Sequence, residues 1–510
     1  MSSLVPFQNE KLLPLPALYC ALGMAASYYT YSFLIAFKYG QFLLLGLLFA
    51  FIVAINLLRV LKIVAGEKRT VLYKLAILSA AVTLGFTLGI AARRNVRTIP
   101  ELGLAPENIV SVSGILKEDP RKLQSGSGLG TLELKECGGQ GGLRATARGS
   151  ISVFFPAESI PRLKEFGRGS EIYIDGILVY QAGKGQGPLF RASSLHITKP
   201  APAIEQIRTG LRMALFEKFQ GRENRKMTVW GPLASALLLG VRDDLDADLA
   251  EGFRNSGCSH VLALSGMHLA ILSGLLAFLL KRPLGIRWAS LGGSVFVVFY
   301  IFLAGAQPSL VRAGIMYLIA TVTMWGFLKN RPISLLSMAF IIQLCVQNET
   351  GISISFILSY LALAGILSMG EYLRGLFRGR LPEIVNGGVS ASIGAFIFTA
   401  PVVVYYFGTL RPVGILAALV LAPVSSLFMI LALGVLAASY LPLPIWNIFN
   451  FLLTALYRFL QFSVSLAGRF PGFNFINPIP VLVFSILFFC LVLFIRKKDR
   501  AKRSSIASFD

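Results

Sequence analysis

The sequence is short of the side chains on which soluble chemistry relies. Of its 510 residues only three are histidine, His196, His260 and His268, and they are too few and too dispersed for an all-histidine catalytic zinc site. There is no HExxH pair and no CxxC. The five cysteines, Cys20, Cys137, Cys258, Cys345 and Cys490, are scattered. Cys137 is alone in the polar stretch 100–200, which excludes a disulfide within it, while a Cys137–Cys258 pairing stays open. Cys20, Cys345 and Cys490 read most simply as buried apolar residues. Acidic residues are outnumbered, 25 against 48 Lys and Arg, and all charged residues together make up only 14% of the chain. With 55% hydrophobic residues, that scarcity of charge excludes an ordinary soluble domain.

The chain instead carries repeated apolar runs of membrane-spanning length, which must be helical because lipid offers no partner to a free backbone amide. Candidate spans are 17–37, 41–64 and 71–92, then 260–280, 288–304, 309–328, 333–346, 352–369, 389–408, 413–440, 445–467 and 479–495, about twelve in all. Pro423, followed by Ser425 and Ser426, marks 413–440 as a broken helix or a hairpin. The first run lacks a small-residue cleavage pattern and reads as an anchor rather than a removed signal. The net charge of +23 invites a nucleic-acid reading, but topology explains most of it. The loops 59–74, 281–287, 329–331 and 371–380 and the tail 496–510 hold 19 Lys and Arg, while the opposite loops hold only Lys38, Arg411 and Arg469. That bias places both termini in the cytoplasm. Arg93, Arg94 and Arg97 run against it.

Five segments are expected. Residues 1–99 are N-terminal transmembrane helices. Residues 100–200 are polar, with alternating runs at Ile109–Lys117, Gly130–Glu136, Ala147–Phe155, Glu171–Tyr180 and Leu189–Thr198. Five such strands suggest a small all-β, OB-like barrel on the outer face. Residues 201–245 hold a charged helix from Ile204 to about Lys226, with Ile207, Leu211, Leu215 and Phe219 at helical spacing. It is expected to lie along the interface, ahead of a re-entrant or half-buried stretch at 228–241. Residues 246–495 form the main transmembrane domain, and 496–510 are a basic, disordered tail.

Four clusters could carry function. Asp243, Asp244, Asp246 and Asp248 either hold a hard cation or, more simply, form a polar loop that caps a helix starting near Asp246. His260 and His268, if on one helix, lie about 80° out of register, so they are no metal pair. Ser265 and His268 could face one another, but the sequence offers no G-x-S-x-G elbow for a hydrolase. A buried polar cluster beside a hydrated cavity is the favoured reading. Arg312 follows Pro308 inside an apolar run and must pair, snorkel or line water; in a pore it would attract phosphate. Ser355, Ser359, Ala362 and Gly365 form a small-residue stripe suited to close helix packing.

Taken together, Leu-Leu-Leu-Gly-Val-Arg at 237–242, His260 with Ala-Leu-Ser-Gly-Met-His at 263–268, Ala-Gly-Ala-Gln-Pro-Ser-Leu-Val-Arg-Ala at 304–313 and Ser-Phe-Ile-Leu-Ser-Tyr-Leu-Ala-Leu-Ala-Gly-Ile at 355–366 resemble the ComEC family in identity, order and spacing. The resemblance covers nearly the whole chain. It implies an α-helical polytopic membrane channel with an OB-like insert that imports single-stranded DNA during natural competence. By family motif, Arg242, His260, Ser265, Gly266, His268, Pro308, Arg312 and Ser359 would line or brace the channel. No catalytic residue, metal or cofactor is implied. The partners implied are single-stranded DNA, membrane lipid, and a DNA receptor, a separate nuclease and a cytoplasmic translocase. Three departures stand out. Val241 replaces the family's usual acid, Ile357 replaces its usual Gln, and the metallo-β-lactamase-like nuclease domain common in the family has no counterpart here. The alternatives are a transporter or envelope-assembly protein for another substrate, and a membrane hydrolase using Ser265 and His268. The insert itself argues only weakly for DNA. It holds 12 Lys and Arg against 10 Asp and Glu, and Phe154, Phe155, Tyr173 and Tyr180 could stack bases or fill a barrel core.

The charge bias makes one prediction directly. Single cysteines placed in the insert 100–200 should react with a membrane-impermeant reagent in intact spheroplasts, and labelling only after lysis would overturn the topology.

Overall fold

A computed structural model describes residues 16–34, 67–95, 101–123, 125–179, 188–220, 228–326, 331–438 and 443–506. It is mostly helical, with a separate small sheet domain. Helices α1 (Pro16–Leu34) and α2 (Glu67–Asn95) pack closely enough that a Cβ on Gly85 would meet the backbone of Met24. Tyr28 and Tyr29 on α1 donate to the carbonyls of Asn348 and Gly351, at 2.6 and 2.9 Å, and so anchor α1 to the later helices.

Among the described residues the sheet domain has eight strands, of which five close a cycle: β1 (Ile109–Leu116), β2 (Gly128–Gly139), β3 (Ser150–Phe155), β4 (Glu171–Val179) and β5 (Leu189–Lys199). The strand Arg144–Arg148 pairs with β2, so the single strand expected at Ala147–Phe155 is divided at Gly149, and the short strands Glu101–Leu102 and Arg121–Lys122 pair with Arg144–Arg148 and with β2, respectively. β1 pairs with β2 and β4, β2 with β3, and β4 with β5, all antiparallel; a parallel β3–β5 pairing closes the cycle. Strand alternation sends Val112, Leu116, Leu132, Leu134, Ile151, Val153, Phe155, Ile172, Ile174 and Phe190 inward. Each such side chain contributes about 1.5–3 kcal/mol by leaving water. Gly114 is needed at the β1 bulge, since a Cβ there would strike the Glu133 carbonyl. The short helix α3 (Ile160–Phe166) adds Ile160 and Leu163 to the same core. Phe155, considered as a base-stacking residue, is a core residue, because its strand position points inward. Phe154 and Tyr173 are partly exposed, and Arg191 lies over the Phe154 ring at 5.8 Å. Tyr180 lies outside the described residues.

Helix α4 (Ala203–Gln220) joins the two blocks. Its polar side faces the protein: Arg208, 1% exposed, donates to both oxygens of Asp119 at 2.8 Å and to Glu205 at 2.7 Å. Arg212 also pairs with Asp119, and Arg168 N–H donates to it at 3.1 Å. Burial opposes ionisation of Asp119, but the Arg212 and Arg208 charges and the hydrogen bonds outweigh it and hold the carboxyl below its usual range. The apolar stripe expected on α4 is split. Ile207 is 61% exposed and Leu211 42%, while Phe219 is buried.

Next comes α5 (Gly231–Leu239), ended by Gly240 in the left-handed conformation. Nine residues cannot span a bilayer, and all of them except Pro232 are buried by protein. After it come α6 (Ala247–Asn255), α7 (Ser259–Leu262), α8 (Gly266–Ala304), α9 (Pro308–Trp325), α10 (Pro332–Val346) and α11 (Ile354–Leu376). The last four are α12 (Glu383–Phe407), α13 (Gly414–Ala438), α14 (Leu443–Gly468) and α15 (Ile479–Ile506).

Among the described residues, five helices are long and apolar enough to cross a membrane: α8, α11, α12, α13 and α14. Shorter apolar helices occur at Ile77–Ala92, Pro332–Val346 and Ile479–Val492. The expected span 41–64 lies outside the described residues. Gly285, at φ 77°, breaks α8 into two arms that fold back, since a Cβ on Gly292 would lie 2.8 Å from Leu280. The two runs expected at 260–280 and 288–304 correspond to these arms, the first beginning later, at Gly266. Two readings are corrected. Pro423 sits within a continuous helix rather than at a break or hairpin. The basic tail, expected to be disordered, continues α15 as far as Ile506.

Asp119 generates a prediction. Asp119→Ala leaves Arg208 and Arg212 short of a buried counter-charge and should destabilise the protein by about 3 kcal/mol, read as a lowered unfolding midpoint. Because the folded carboxyl titrates below the ordinary aspartate value of about 3.9, its contribution is complete above that pH and lost as pH falls through the folded value. The gap between wild type and Asp119→Asn should therefore shrink only in acid.

Candidate functional site: a polar cluster within the membrane helices

The chain breaks between α7 and α8, where Ala263 and Ser265 are extended, and that break shapes the site. Ser265 is the N-cap of α8 and His268 its N3 residue, a capping-box arrangement in which the Ser265 N–H donates to His268 Nδ1 at 3.4 Å. The contact foreseen between Ser265 and His268 therefore exists, but it runs through the serine backbone amide. His260 is on the separate helix α7, so the expectation of two histidines about 80° apart on one helix is corrected. Ser265-Gly266 is a helix-start signal, and it interrupts what reads in sequence as one apolar run. His260 is solvent-exposed.

Helix α9 meets this break end-on. Gly305, at φ 99°, turns the chain out of α8, and Pro308 opens α9 at a position where no amide hydrogen is needed. Ser309 Oγ donates to the Leu264 carbonyl at 2.7 Å and holds the starts of α8 and α9 side by side. Arg312, 9% exposed, donates through Nη1 to the Ser359 carbonyl on α11, and its guanidinium lies 5.6 Å from the centre of the Tyr360 ring. Tyr360 donates to Gln343 Oε1 at 2.8 Å, and Gln343 Nε2 donates to the Pro308 carbonyl at 3.1 Å. Helices α9, α10 and α11 thus close a hydrogen-bonded ring inside the protein.

Residues 237–242 join the same region. Tyr300 donates to the Leu238 carbonyl at 2.9 Å, and Arg242 Nη2 donates to the Leu262 carbonyl at 2.9 Å, next to the break. All four sequence blocks therefore meet. Arg242, Ser265, Gly266, His268, Pro308, Arg312 and Ser359 are brought together directly, with His260 at the edge. Gly365 of the small-residue stripe lies against Gly394 of α12, where a Cβ would meet the Gly394 carbonyl. Close helix packing is what that stripe does.

The sequence reading missed Tyr300, Ser309, Gln343 and Tyr360. Gln343 carried a usable signal, being an amide in the middle of an apolar run, where polar side chains serve as interhelical glue. Ser309 and Tyr360 lie inside the quoted blocks but bear no charge to single them out.

The acidic loop serves a different end from cation binding. Asp246 accepts from Asp248 N–H at 3.0 Å and caps α6. Asp243 pairs with Lys164 at 2.7 Å and Asp244 with Lys122 at 3.2 Å, which ties the loop to the barrel. Among the described residues no group of three His, Cys, Asp or Glu is placed to hold a metal ion. Cys137 and Cys258 are both free and buried, so the pairing left open is absent.

A bundle of apolar helices around an internal polar cluster, with a small barrel clamped to it by ion pairs, defines a membrane protein. The Competence protein family profile matches residues 237–498, just over half of the chain and the whole of this cluster, and the chain belongs to that family. It is 27% identical to ComE operon protein 3 of Bacillus subtilis over 184 residues, 34% of this chain and 22% of that protein. It is 29% identical over 219 residues to an uncharacterized protein of Aquifex aeolicus, 42% of this chain and 49% of the relative. Over 108 residues it is 31% identical to protein YcaI of Escherichia coli, 20% of this chain and 14% of the relative. The aligned stretches thus span from about a seventh to about half of these relatives' own length.

If His268 braces the start of α8, His268→Asn, which keeps a hydrogen-bonding group, should unfold close to the wild-type midpoint, while His268→Leu should unfold at a lower temperature. Stoichiometric zinc in the purified protein, abolished by His268→Asn, would overturn this role.

Proposed function

We propose that this protein is an inner-membrane channel that imports single-stranded DNA during natural transformation. The observation that carries the reading is the convergence of four distant sequence blocks on one internal polar cluster, within the segment that places the chain in the Competence protein family. Polar groups are costly inside a membrane unless they face other protein or a water-filled path. On this reading Arg242, His260, Ser265, Gly266, His268, Pro308, Arg312 and Ser359 line or brace it, and Arg312 contacts phosphate.

The finer architecture belongs to the same proposal. About twelve crossings, both termini cytoplasmic and an external insert follow from the basic-residue bias. The five-strand cycle closed by a parallel pair supports an OB-like insert, a fold used for oligonucleotides as well as oligosaccharides. The partners are single-stranded DNA, a DNA receptor, a separate nuclease and a cytoplasmic translocase, and the channel performs no covalent chemistry itself.

Uptake of labelled DNA by a deletion strain, with and without the gene restored, tests the reading; unchanged uptake would favour a different transported substrate. Arg312→Gln should fold and insert yet lower uptake about tenfold or more, the scale of one lost charge-assisted hydrogen bond. Undiminished uptake in this variant would remove Arg312 from the path.

A further inference from the structure

We propose that the start of α8 at Gly266, the start of α9 and the Arg312 side chain form a discrete site for a phosphoryl oxyanion within the membrane helices. Arg312 is 9% exposed, yet among the described residues no carboxylate pairs with it. Its neighbours are the Ser359 carbonyl and the Tyr360 ring, neither of which is an anion, and its Nε is buried with no hydrogen-bond partner. An unpaired guanidinium at such a place is among the costliest features a membrane protein can carry, and a bound anion removes the cost.

The surroundings are built for that anion. Arg312 Nη2 is directed at Gly266, lying 3.2 Å from where a Cβ on that glycine would stand. Gly266 is the first residue of α8, so the positive dipole end of that helix lies beside the Arg312 guanidinium. The α9 terminus is held alongside by the Ser309–Leu264 bond at 2.7 Å. His268 is 0% exposed and supplies an independent sign. Its Nδ1 accepts from Ser265 N–H, so in the neutral ring the hydrogen is on Nε2, and that buried donor has no acceptor. Two interrupted helices that meet N-terminus to N-terminus beside an unpaired cation form an arrangement suited to an anionic group at membrane depth. The planar fork of arginine matches a phosphoryl group bidentately, which favours phosphate over a spherical halide.

Phosphate could arrive as the phosphodiester of a passing strand or as the free ion. The site's role in transport rests on the channel reading; its affinity for phosphate does not. Thermal unfolding of the full chain in detergent, followed by tryptophan fluorescence, separates the two. Inorganic phosphate should raise the midpoint in a saturable way, while chloride at equal ionic strength should not. Gly266→Ala narrows the space in front of Nη2, with its Cβ also 3.1 Å from that of Ala313, and should weaken phosphate binding about tenfold or more. Arg312→Gln should abolish the phosphate effect, and it serves as the second variant if Gly266→Ala does not fold. A short single-stranded oligonucleotide that competes with phosphate would assign the site to the phosphodiester. Phosphate binding without such competition would keep the anion site and count against the DNA reading alone. No phosphate-dependent shift in the wild type, an equal shift with chloride, or an undiminished shift in Arg312→Gln would overturn the proposal.

Discussion

A guanidinium inside a bundle of membrane helices has to be solvated by the protein, and the arrangement of this bundle follows from meeting that demand for Arg312. Water is absent from the hydrocarbon layer, so each polar atom must find a carbonyl, a hydroxyl, an aromatic face or a cavity. Arg312 takes the Ser359 carbonyl and the Tyr360 ring. Tyr360 in turn needs Gln343, and Gln343 needs the Pro308 carbonyl at the start of the helix that bears Arg312. The ring closes on itself. Helices α9, α10 and α11 are thus fixed in register by hydrogen bonds as well as by packing, and a shift of one would leave polar atoms bare in the other two.

A second constraint lies outside that bundle. A small barrel beside membrane helices has little apolar surface to share with them, and here charge makes the connection. Asp119 gathers Arg208 and Arg212 from α4, Arg168 from the barrel itself binds Glu205 of α4, and Asp243 and Asp244 hold barrel lysines. Burial of Arg208 makes this more than a screened surface contact, because single exposed pairs contribute less than about 1 kcal/mol. The same helix carries Arg212 to the Leu239 carbonyl at the end of α5. The barrel is therefore braced through α4 against the short buried helix that opens the first of the four sequence blocks.

The sequence made the helical class and most of the longer strands legible, because each rests on short-range periodicity, whereas the four blocks were grouped by family resemblance and no periodicity joins them. Leu132 and Ile172 alternate with less buried neighbours, and any strand reading recovers them. The break before Gly266 was hidden because apolar residues flank it on both sides, so hydropathy ran straight through a cap signal. Pro423 misled in the opposite direction: a proline inside a helix flanked by protein partners need not end it. The acidic loop was ambiguous for a different reason. Carboxylates close in sequence look alike whether they bind a cation or a lysine, and Lys122 and Lys164 are far away along the chain. Gln343 and Tyr360 escaped notice because a hydrogen-bonded ring is a property of three helices at once, which no single segment displays.

The break before Gly266 also shows what an interrupted helix offers that a continuous one cannot. A through-going helix at 260–280 would spend every amide on its own carbonyls and present only side chains. Ending α7 at Leu262 and restarting at Gly266 leaves the first-turn amides of α8 without helical acceptors; the Ser265–His268 capping box takes up part of that turn, and Gly266 has no side chain to cover the rest. The exposed backbone is costly in lipid and is tolerated only where protein or a cavity surrounds it. Here the carbonyls at the break are taken up, Leu262 by Arg242 and Leu264 by Ser309, while the amide end is left facing Arg312. The break therefore sets the donor end of a helix beside a guanidinium that no carboxylate among the described residues pairs with. Such a pairing selects for negative charge, and that asymmetry comes from the backbone before any particular ligand is considered.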